Sequence, residues 1–474
     1  MSEATLGRIV ELLAARGLTA EKAAVRRIQR ASDPRAAVDV VVEAVPAEIV
    51  TLTEADVVAA LDEPVARDRQ PPGDIDVIGD MTGMSTGTGD FEDFLALFRD
   101  RYERLSSLLT DRVSARSIAS LSSTNRSRHG IGVIGLLTDV RSTGSGHWLF
   151  ELEDLTGSCR ALVHADNPLF DSVKELLLDQ VIAIEGTLSD DGGIIFIDEL
   201  HQPEIPMSNT ANRADRHVEV ALVSDLHVGS EEFAADAWAS FVDWLDNSHD
   251  ASAIEYLIVG GDLVDGVGIY PNQSKELAIV DVYDQYEAAA RELAAIPDRI
   301  EVVIIPGNHD AVRLAEPQPA FGDRIAEYFE PIGARLVSNP GRVEIEGVRF
   351  LLYHGTSLDD VIASIPGGGV EYETPDVAMT HLLRKRHLAP TYGSRTRIAP
   401  EQEDHLVIDS IPDVFHAGHT HTSGISTYRD VRVLNTGTWQ HQTPFQRQVN
   451  IDPDVGIAAI VDLETLGITL RTFT

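Results

Sequence analysis

Six apolar stretches from residue 217 onward each run directly into a short polar loop. They read HVEVALVSDLH, YLIVGGDLVDG, RIEVVIIPGNHD, VRFLLYHGTS, PDVFHAGHTH and VRVLNTGTW. Runs of Val, Ile and Leu without polar alternation describe strands buried on both faces, which need layers of structure on either side. Helical patterns separate them, so the expectation is an α/β layered core with its chemistry along one edge, at the strand ends. Five of those ends carry side chains that bind metals or move protons: Asp225-Leu226-His227, Gly261-Asp262, Gly307-Asn308-His309-Asp310, Tyr353-His354-Gly355 and Gly418-His419-Thr420-His421. Each piece alone has a bland reading as a turn or a surface pair. Five in order, each directly after an apolar strand and accompanied by glycine, do not.

The donors in this series are oxygen and imidazole. Cys159 is the only cysteine, which excludes an intrachain disulfide and a cysteine zinc cluster. Such a donor set suits Mn2+, Fe or Zn2+. On an extended strand, residues i and i+2 point to one face, so Asp225-x-His227 and His419-x-His421 can each grip one ion, with Asp262 between two. The series D-x-H, G-D, G-N-H-D, H, G-H-x-H resembles the calcineurin-like metallophosphoesterase superfamily over roughly residues 216 to 445. That resemblance implies two divalent metal ions. Asp225, His227 and His421 would hold one, Asn308, His354 and His419 the other, and Asp262 would bridge them. It assigns His309 to transition-state stabilisation or proton delivery and places Asp265 where a carboxylate orients that histidine. Asp310 is read as structural support, His416 as core, and Asn435-Thr436-Gly437-Thr438 as a turn bordering the site. His201, His381, His387 and His441 have no partner pattern.

The rest of the chain divides by pattern. Residues 1–62 read as a small α-helical N-terminal module. There Leu6, Ile9 and Leu13 share a face, Gly17 is a C-cap, and a Thr-x-x-Asp signal opens a second helix. Residues 63–129 read as a flexible linker, rich in Pro, Gly, Ser and Thr to about residue 90, followed by a connecting helix in DFEDFLALFRDRYERLSSLLTDR. Residues 130–205 show five strand candidates with a helix, NPLFDSVKELLLDQ, between the third and fourth, which is the order of an OB-fold β-barrel. Residues 216–474 hold the six strands. The expected fold class is therefore multidomain: helical module, OB-fold barrel, then an α/β calcineurin-like metallophosphoesterase sandwich.

The formal charge of −38, with only four lysines, is what a salt-loving cell tolerates, because salt screens self-repulsion. The N-terminus shows no signal peptide and no run is apolar enough to span a bilayer, so a soluble, cytoplasmic protein with no membrane partner is expected. Against this acidity, residues 379–400 contain no Asp or Glu and hold Arg384, Lys385, Arg386, Arg395 and Arg397. They are candidates for contact with nucleic acid or with an acidic partner surface. Helical module, linker, OB-fold and phosphoesterase in this order resemble the small subunits of archaeal family D DNA polymerases. GIYPNQSKELAIVDVYDQYE and LLRKRHLAPTYG also look like that family. The resemblance implies a 3′-to-5′ exonuclease that proofreads a primer 3′ end or single-stranded DNA and docks a separate large polymerising subunit. The alternatives are a non-catalytic scaffold or a stand-alone metallophosphatase.

Overall fold

The computed structural model describes residues 75–123, 130–448 and 451–473, with scattered positions between 9 and 57. The chain divides into two compact units, Met1–Asp68 and Arg69–Thr474. In the first, a helix at Lys22–Gln29 and a parallel pair, Thr19–Ala20 with Thr51–Leu52, accompany a cluster built on Ile9, Leu13, Ile28, Val41 and Val57. Leu6, Gly17, Asp56 and residues 63–74 of the expected linker lie outside the described residues.

The second unit opens with strand β1 (Ile75–Gly79) and helix α1 (Phe91–Ser107). Five strands follow: β2 (Ile131–Ser142), β3 (Trp148–Asp154), β4 (Gly157–Val163), β5 (Val181–Leu188) and β6 (Ile194–His201). They close into a barrel in the order β2-β3-β4-β6-β5. Its interior is filled by Val133, Leu137, Phe150, Leu152, Ala161, Val163, Ile184 and Ile197, the inward positions of alternating strands. The helix expected between the third and fourth strands is only a 3-10 turn, Ser172–Glu175. Its apolar residues Val173, Leu176 and Leu177 are buried without a longer helix, so burial set that pattern.

The remaining strands are β7 (Glu219–Val223), β8 (Ile254–Gly260), β9 (Glu301–Ile305), β10 (Arg335–Leu336), β11 (Gly341–Ile345), β12 (Val348–Leu352), β13 (Val414–Ala417), β14 (Ser423–Tyr428), β15 (Val431–Thr436), β16 (Ile457–Asp462) and β17 (Ile468–Thr472). They form two six-stranded mixed sheets, ordered β10-β9-β8-β7-β16-β17 and β14-β15-β13-β12-β11-β1. Alternation along each strand divides the core. Val220, Leu222, Ile258, Val303 and Ile305 face the other sheet, meeting Val343, Phe350, Leu352 and Leu434. Ala221, Val223, Leu257, Val302 and Ile304 face outward, under helices α2 (Ala235–Asn247) and α3 (Val282–Ala294). The second sheet's outer face is covered by helix α4 (Pro375–Lys385) through Ala378, Met379, Leu382 and Leu383.

One further feature differs from the sequence reading. Part of the flexible linker is a strand: β1 pairs antiparallel with β11 at the sheet edge. The chain after it is also pinned, since Met81 N donates to Ser338 Oγ (3.0 Å) and Gly87 N to Glu401 Oε2 (2.9 Å). An edge strand with Val77 and Ile78 exposed lacks the alternation that marks a half-buried one. The six apolar strands are divided between the two sheets, as a sandwich requires. β7, β8 and β9 lie in one, and β12, β13 and β15 in the other.

Candidate metal centre

The strand register places the chemistry. β7, β8 and β9 are parallel, with Val223 level with Val259 and Gly260 level with Ile305. β12, β13 and β15 are likewise parallel, with Leu352 level with His416 and Ala417 with Asn435. All their C-terminal ends therefore open on one edge, where the two sheets meet.

The donors converge through left-handed turns, and the strand pleat invoked for Asp-x-His and His-x-His plays no part. Asp225, His227, Asp262, His419 and His421 all have positive φ, from 48° to 69°. Each such residue costs about 1–3 kcal/mol and persists where the surroundings over-determine it. Here the loops zip together: Asp225 N donates to Gly261 O at 2.9 Å and His227 N to Asp262 O at 3.0 Å. Two glycines make the approach possible. A Cβ on Gly307 would sit 2.2 Å from Asp262 Oδ1, and one on Gly418 would sit 2.2 Å from Asp225 Oδ2.

His227 Nε2 and His421 Nε2 are 3.0 Å apart, with Asp225 Oδ1 at 3.9 Å and 3.4 Å from them. Asp262 Oδ2 lies 3.8 Å from His227 Nε2 and 3.3 Å from His354 Nε2. Asn308 Oδ1 is 3.0 Å from His354 Nε2. Asp225, His227, Asp262 and His354 are buried, and Asp225 Oδ1 has no hydrogen-bond partner among the described residues. A buried carboxylate oxygen left bare beside two facing imidazole nitrogens fits a divalent cation. Burial opposes a charge on His354, yet Asp262 and Asp225 push the ring up to about 10. Burial likewise opposes ionising Asp262, yet His354 and His309 hold its carboxyl well below the usual range. The acids thus ask for compact positive charge, which a cation supplies.

The rings are oriented from outside. His354 Nδ1 donates to the Gly260 carbonyl at 3.0 Å. His227 Nδ1 donates to Asp265 Oδ1 at 3.1 Å. Each leaves Nε2 with its lone pair toward the cluster. The Asp265 side chain therefore serves His227, and the role read for it beside His309 needs correction. His309 Nδ1 meets the Asp265 main-chain carbonyl at 2.8 Å and stands 4.0 Å from the carboxylate. Gln273 and Gln440 amides donate to the same carboxylate, each at 2.9 Å. His309 is 17% exposed, and burial pushes its imidazole below the usual value. Asp310 accepts from Gly307 N (2.8 Å), Leu263 N (3.2 Å) and Tyr286 Oη (3.0 Å), so it ties two strand tips together. Burial and the neighbouring Asp262 raise it to about 7. His419 lies with its ring centroid 5.3 Å from that of His354. A cavity of about 590 Å³ opens over this centre, lined by His309, Asn308, His419 and His421 together with Tyr270, Tyr372 and Arg395.

A profile of the B-subunit family of DNA polymerases alpha and epsilon matches residues 220–425. The DNA polymerase II small subunit of Halobacterium salinarum is 48% identical over 98% of this chain and 98% of its own. This chain belongs to the family of archaeal DNA polymerase II small subunits. The members from Archaeoglobus fulgidus and Methanothermobacter thermautotrophicus are 41% and 39% identical, over 81% and 82% of this chain and 78% and 81% of their own. No helix among the described residues is long and apolar enough to cross a membrane.

In this member of the DNA polymerase II small-subunit family the basic stretch splits into two parts. Arg384 Nη1 pairs with Glu175 at 2.6 Å, Arg386 Nε donates to Ile408 O at 2.6 Å, and Lys385 is 1% exposed. Lys385 and Arg386 are internal, so the surface contact read for these two is corrected, while Arg384 keeps a quarter of its side chain exposed beside its acidic partner. Burial pushes the Lys385 amine down to about 7. Arg397 is exposed away from the cavity lining, and Arg395 alone of the five reaches the cavity. His387, read without a partner, hydrogen-bonds Asp404 at 2.9 Å, and His416 is core, with Nε2 3.1 Å from Thr436 Oγ1. Asn435 Nδ2 donates to Gly418 O at 2.6 Å and Thr438 Oγ1 to Asp225 O at 2.8 Å, bracing two loops that carry candidate donors. Sequence reasoning missed Gln273, Gln440, Asp359 and Gln446, whose Nε2 lies 2.7 Å from His421 Nδ1. Isolated glutamines, whether in a short helical turn like Gln273 and Gln446 or in a loop like Gln440, carry no spacing signal. Asp359 stands in the first turn of the helix Leu358–Ser364, where an acid has an ordinary reading. Only its place five residues after His354 could have flagged it.

Proposed function

We propose that this chain is a metal-dependent 3′-to-5′ exonuclease acting on DNA, and that it works as the small subunit beside a large polymerising subunit. One observation carries the reading. Asp225, His227 and His421 cluster around a bare carboxylate oxygen, Asp262, His354 and Asn308 adjoin them, and His309 stands at the mouth of the cavity above. Every position that the phosphoesterase resemblance requires is filled, which favours an enzyme over a scaffold. Two divalent ions, Mn2+ foremost, would when bound draw a phosphodiester into place, neutralise its developing charge and activate a water. Asp225, His227 and His421 would hold one ion, Asn308, His354 and His419 the other, and Asp262 would lie between.

The chain's own groups then do the rest. Burial keeps bulk water from Asp225, His227, Asp262 and His354. The Asp265 carbonyl holds His309 by Nδ1, which leaves Nε2 to carry a proton to the departing 3′ oxygen. Tyr270, Tyr372 and Arg395 line the space where the terminal nucleotide would lie. The barrel, with its OB strand order, and the sandwich behind it would dock the large subunit. Family names that say small subunit support this partner, and a soluble cytoplasmic complex follows from the same reading.

The test is Mn2+-dependent release of mononucleotides from 3′-labelled single-stranded DNA, with and without the large subunit. Release that vanishes in Asp262→Ala supports the reading. Wild-type protein that releases none in either setting leaves the scaffold. Release of phosphate from small monoesters but no nucleotide from DNA leaves the stand-alone phosphatase.

A further inference from the structure

Each of two rings in the centre has one nitrogen engaged by an oxygen that can only accept. His227 uses Nδ1 toward Asp265 and His354 uses Nδ1 toward the Gly260 carbonyl. Such an oxygen fixes the proton on the nitrogen it faces and leaves the other lone pair for a metal. His419 has the opposite arrangement. Its Nε2 is the engaged nitrogen, 3.5 Å from Asp359 Oδ2. Asp359 is itself held: Tyr372 Oη donates to Oδ1 at 2.8 Å, and the Arg395 guanidinium lies within electrostatic reach of both. Tyr372 is fixed in turn, since Thr422 Oγ1 donates to its carbonyl. All of these residues line the one cavity over the centre. His419 and Asp359 side chains are only 16% and 26% exposed, so this is no solvated surface pair.

We infer that Asp359 is a positioning residue that selects Nδ1 of His419 as its ligand atom, with Tyr372 and Arg395 holding Asp359 in place. The inference rests on the two-metal reading above. It makes the two metal sites separable, because a different carboxylate orients a ligand of each: Asp265 for the site of His227, Asp359 for the site of His419. It also gives Arg395 and Tyr372 a reason to stand at the cavity rim beside a cluster that needs positive charge.

Asparagine at position 359 keeps the size of the side chain but can donate its amide to His419 Nε2. That puts the imidazole proton on Nδ1 and blocks it as a ligand. The experiment titrates Mn2+ into the full chain by calorimetry and electron paramagnetic resonance for wild type, Asp359→Asn, Asp359→Glu and Asp265→Asn. Metal-free melting is followed in parallel. The expected result is two ions in wild type and, in Asp359→Asn, one site weakened by about 10–100-fold with the other unchanged. Asp265→Asn weakens the opposite site, Asp359→Glu recovers part of the loss, and metal-free melting stays at the wild-type temperature in Asp359→Asn. Two unchanged sites in Asp359→Asn overturn the inference alone, as does equal weakening of both. Wild-type protein that binds fewer than two ions overturns the two-metal reading, and the inference falls with it.

Discussion

Asp262 touches nearly everything in the centre. Its Oδ1 accepts from His309 N at 2.8 Å, and its Oδ2 faces His354 and His227. His309 shares the backbone contact, but its ring is turned toward the cavity by the Asp265 carbonyl. Two substitutions should therefore separate. Asp262→Ala is expected to remove both Mn2+ binding and nucleotide release. His309→Ala is expected to keep Mn2+ binding within a few-fold of wild type and to slow release by about 10²–10⁴-fold, the usual worth of a positioned acid or base. Calorimetry beside the 3′-label assay reads both, and equal loss of binding and rate in His309→Ala would make it a ligand or a support. At this scale the candidate donors were legible, because His, Asp and Asn residues cluster at short spacings after apolar strands. Their supports were not. Asp265 reaches His227 across 38 residues, and Gln440 reaches Asp265 across 175. Only the fold makes those neighbours. Nor does a run of cations announce which of them is buried, so Lys385 and Arg395 looked alike in sequence and differ in the structure.

Helix α1 is the element that joins the barrel to the sandwich. Its Leu105 packs with Ile134 and Val181 of the barrel and with Val407 of the sandwich. Its Arg101 is fully buried, with Nε on Asp404 at 2.7 Å and Nη1 on Pro390 O at 2.6 Å. His387 Nε2 adds a hydrogen bond to the same Asp404 carboxylate at 2.9 Å, while Ala389 N donates to His387 Nδ1 at 3.0 Å. With Nδ1 accepting, the ring must be neutral. Burial and the nearby Arg101 accordingly lower His387 to about 4, although it lies beside an aspartate. Arg101→Met leaves Asp404 buried without its cation and should cost about 3–5 kcal/mol, read by urea unfolding. The pH sign follows from the histidine. A base whose folded value is depressed binds fewer protons folded than unfolded, so stability falls as pH drops from about 6.5 toward 4. Asp404 is held well below the usual range by Arg101 and His387 against burial, so its contribution fades only below about pH 4. Melting of His387→Gln should therefore depend less on pH between about 6.5 and 4 than melting of wild type. An equal slope would assign the acid sensitivity elsewhere. The helix itself was legible from its apolar spacing, and the barrel strands from alternation and turn residues. Strand β1 was not, because an edge strand flanked by Pro, Gly and Asp shows in sequence only the composition of a linker.

The whole molecule carries 76 acidic against 38 basic side chains. Its exposed ion pairs, such as Arg291 with Glu287 or Lys174 with Asp171, cannot offset that excess, since each is worth about 0–1 kcal/mol and half of the acids have no cation to pair with. Salt acts on the two classes of interaction differently. Repulsion among exposed carboxylates is screened, as the Debye length shrinks from about 10 Å at 0.1 M to about 3 Å at 1 M. The buried Arg101–Asp404 pair and the hydrophobic layers between the sheets are scarcely touched, and apolar burial is if anything strengthened by excluded salts. The melting temperature should therefore rise monotonically with KCl from about 0.1 M to 1 M and beyond, by several degrees in all. A second measurement isolates charge as the cause. Sucrose, which strengthens burial without screening, should raise melting less than KCl at matched preferential exclusion. A protein that melts at the same temperature in low and high KCl, or lower in high KCl, would mean that its acidic surface is already neutralised by bound cations or that its surface ion pairs outweigh self-repulsion. The same screening bears on the proposed nuclease activity from the other side. It weakens long-range repulsion between this chain and DNA, so salt that would detach an ordinary basic nuclease from its substrate should here leave nucleotide release largely intact. Release measured across the same KCl range checks it, with a steep fall as the result that defeats the expectation.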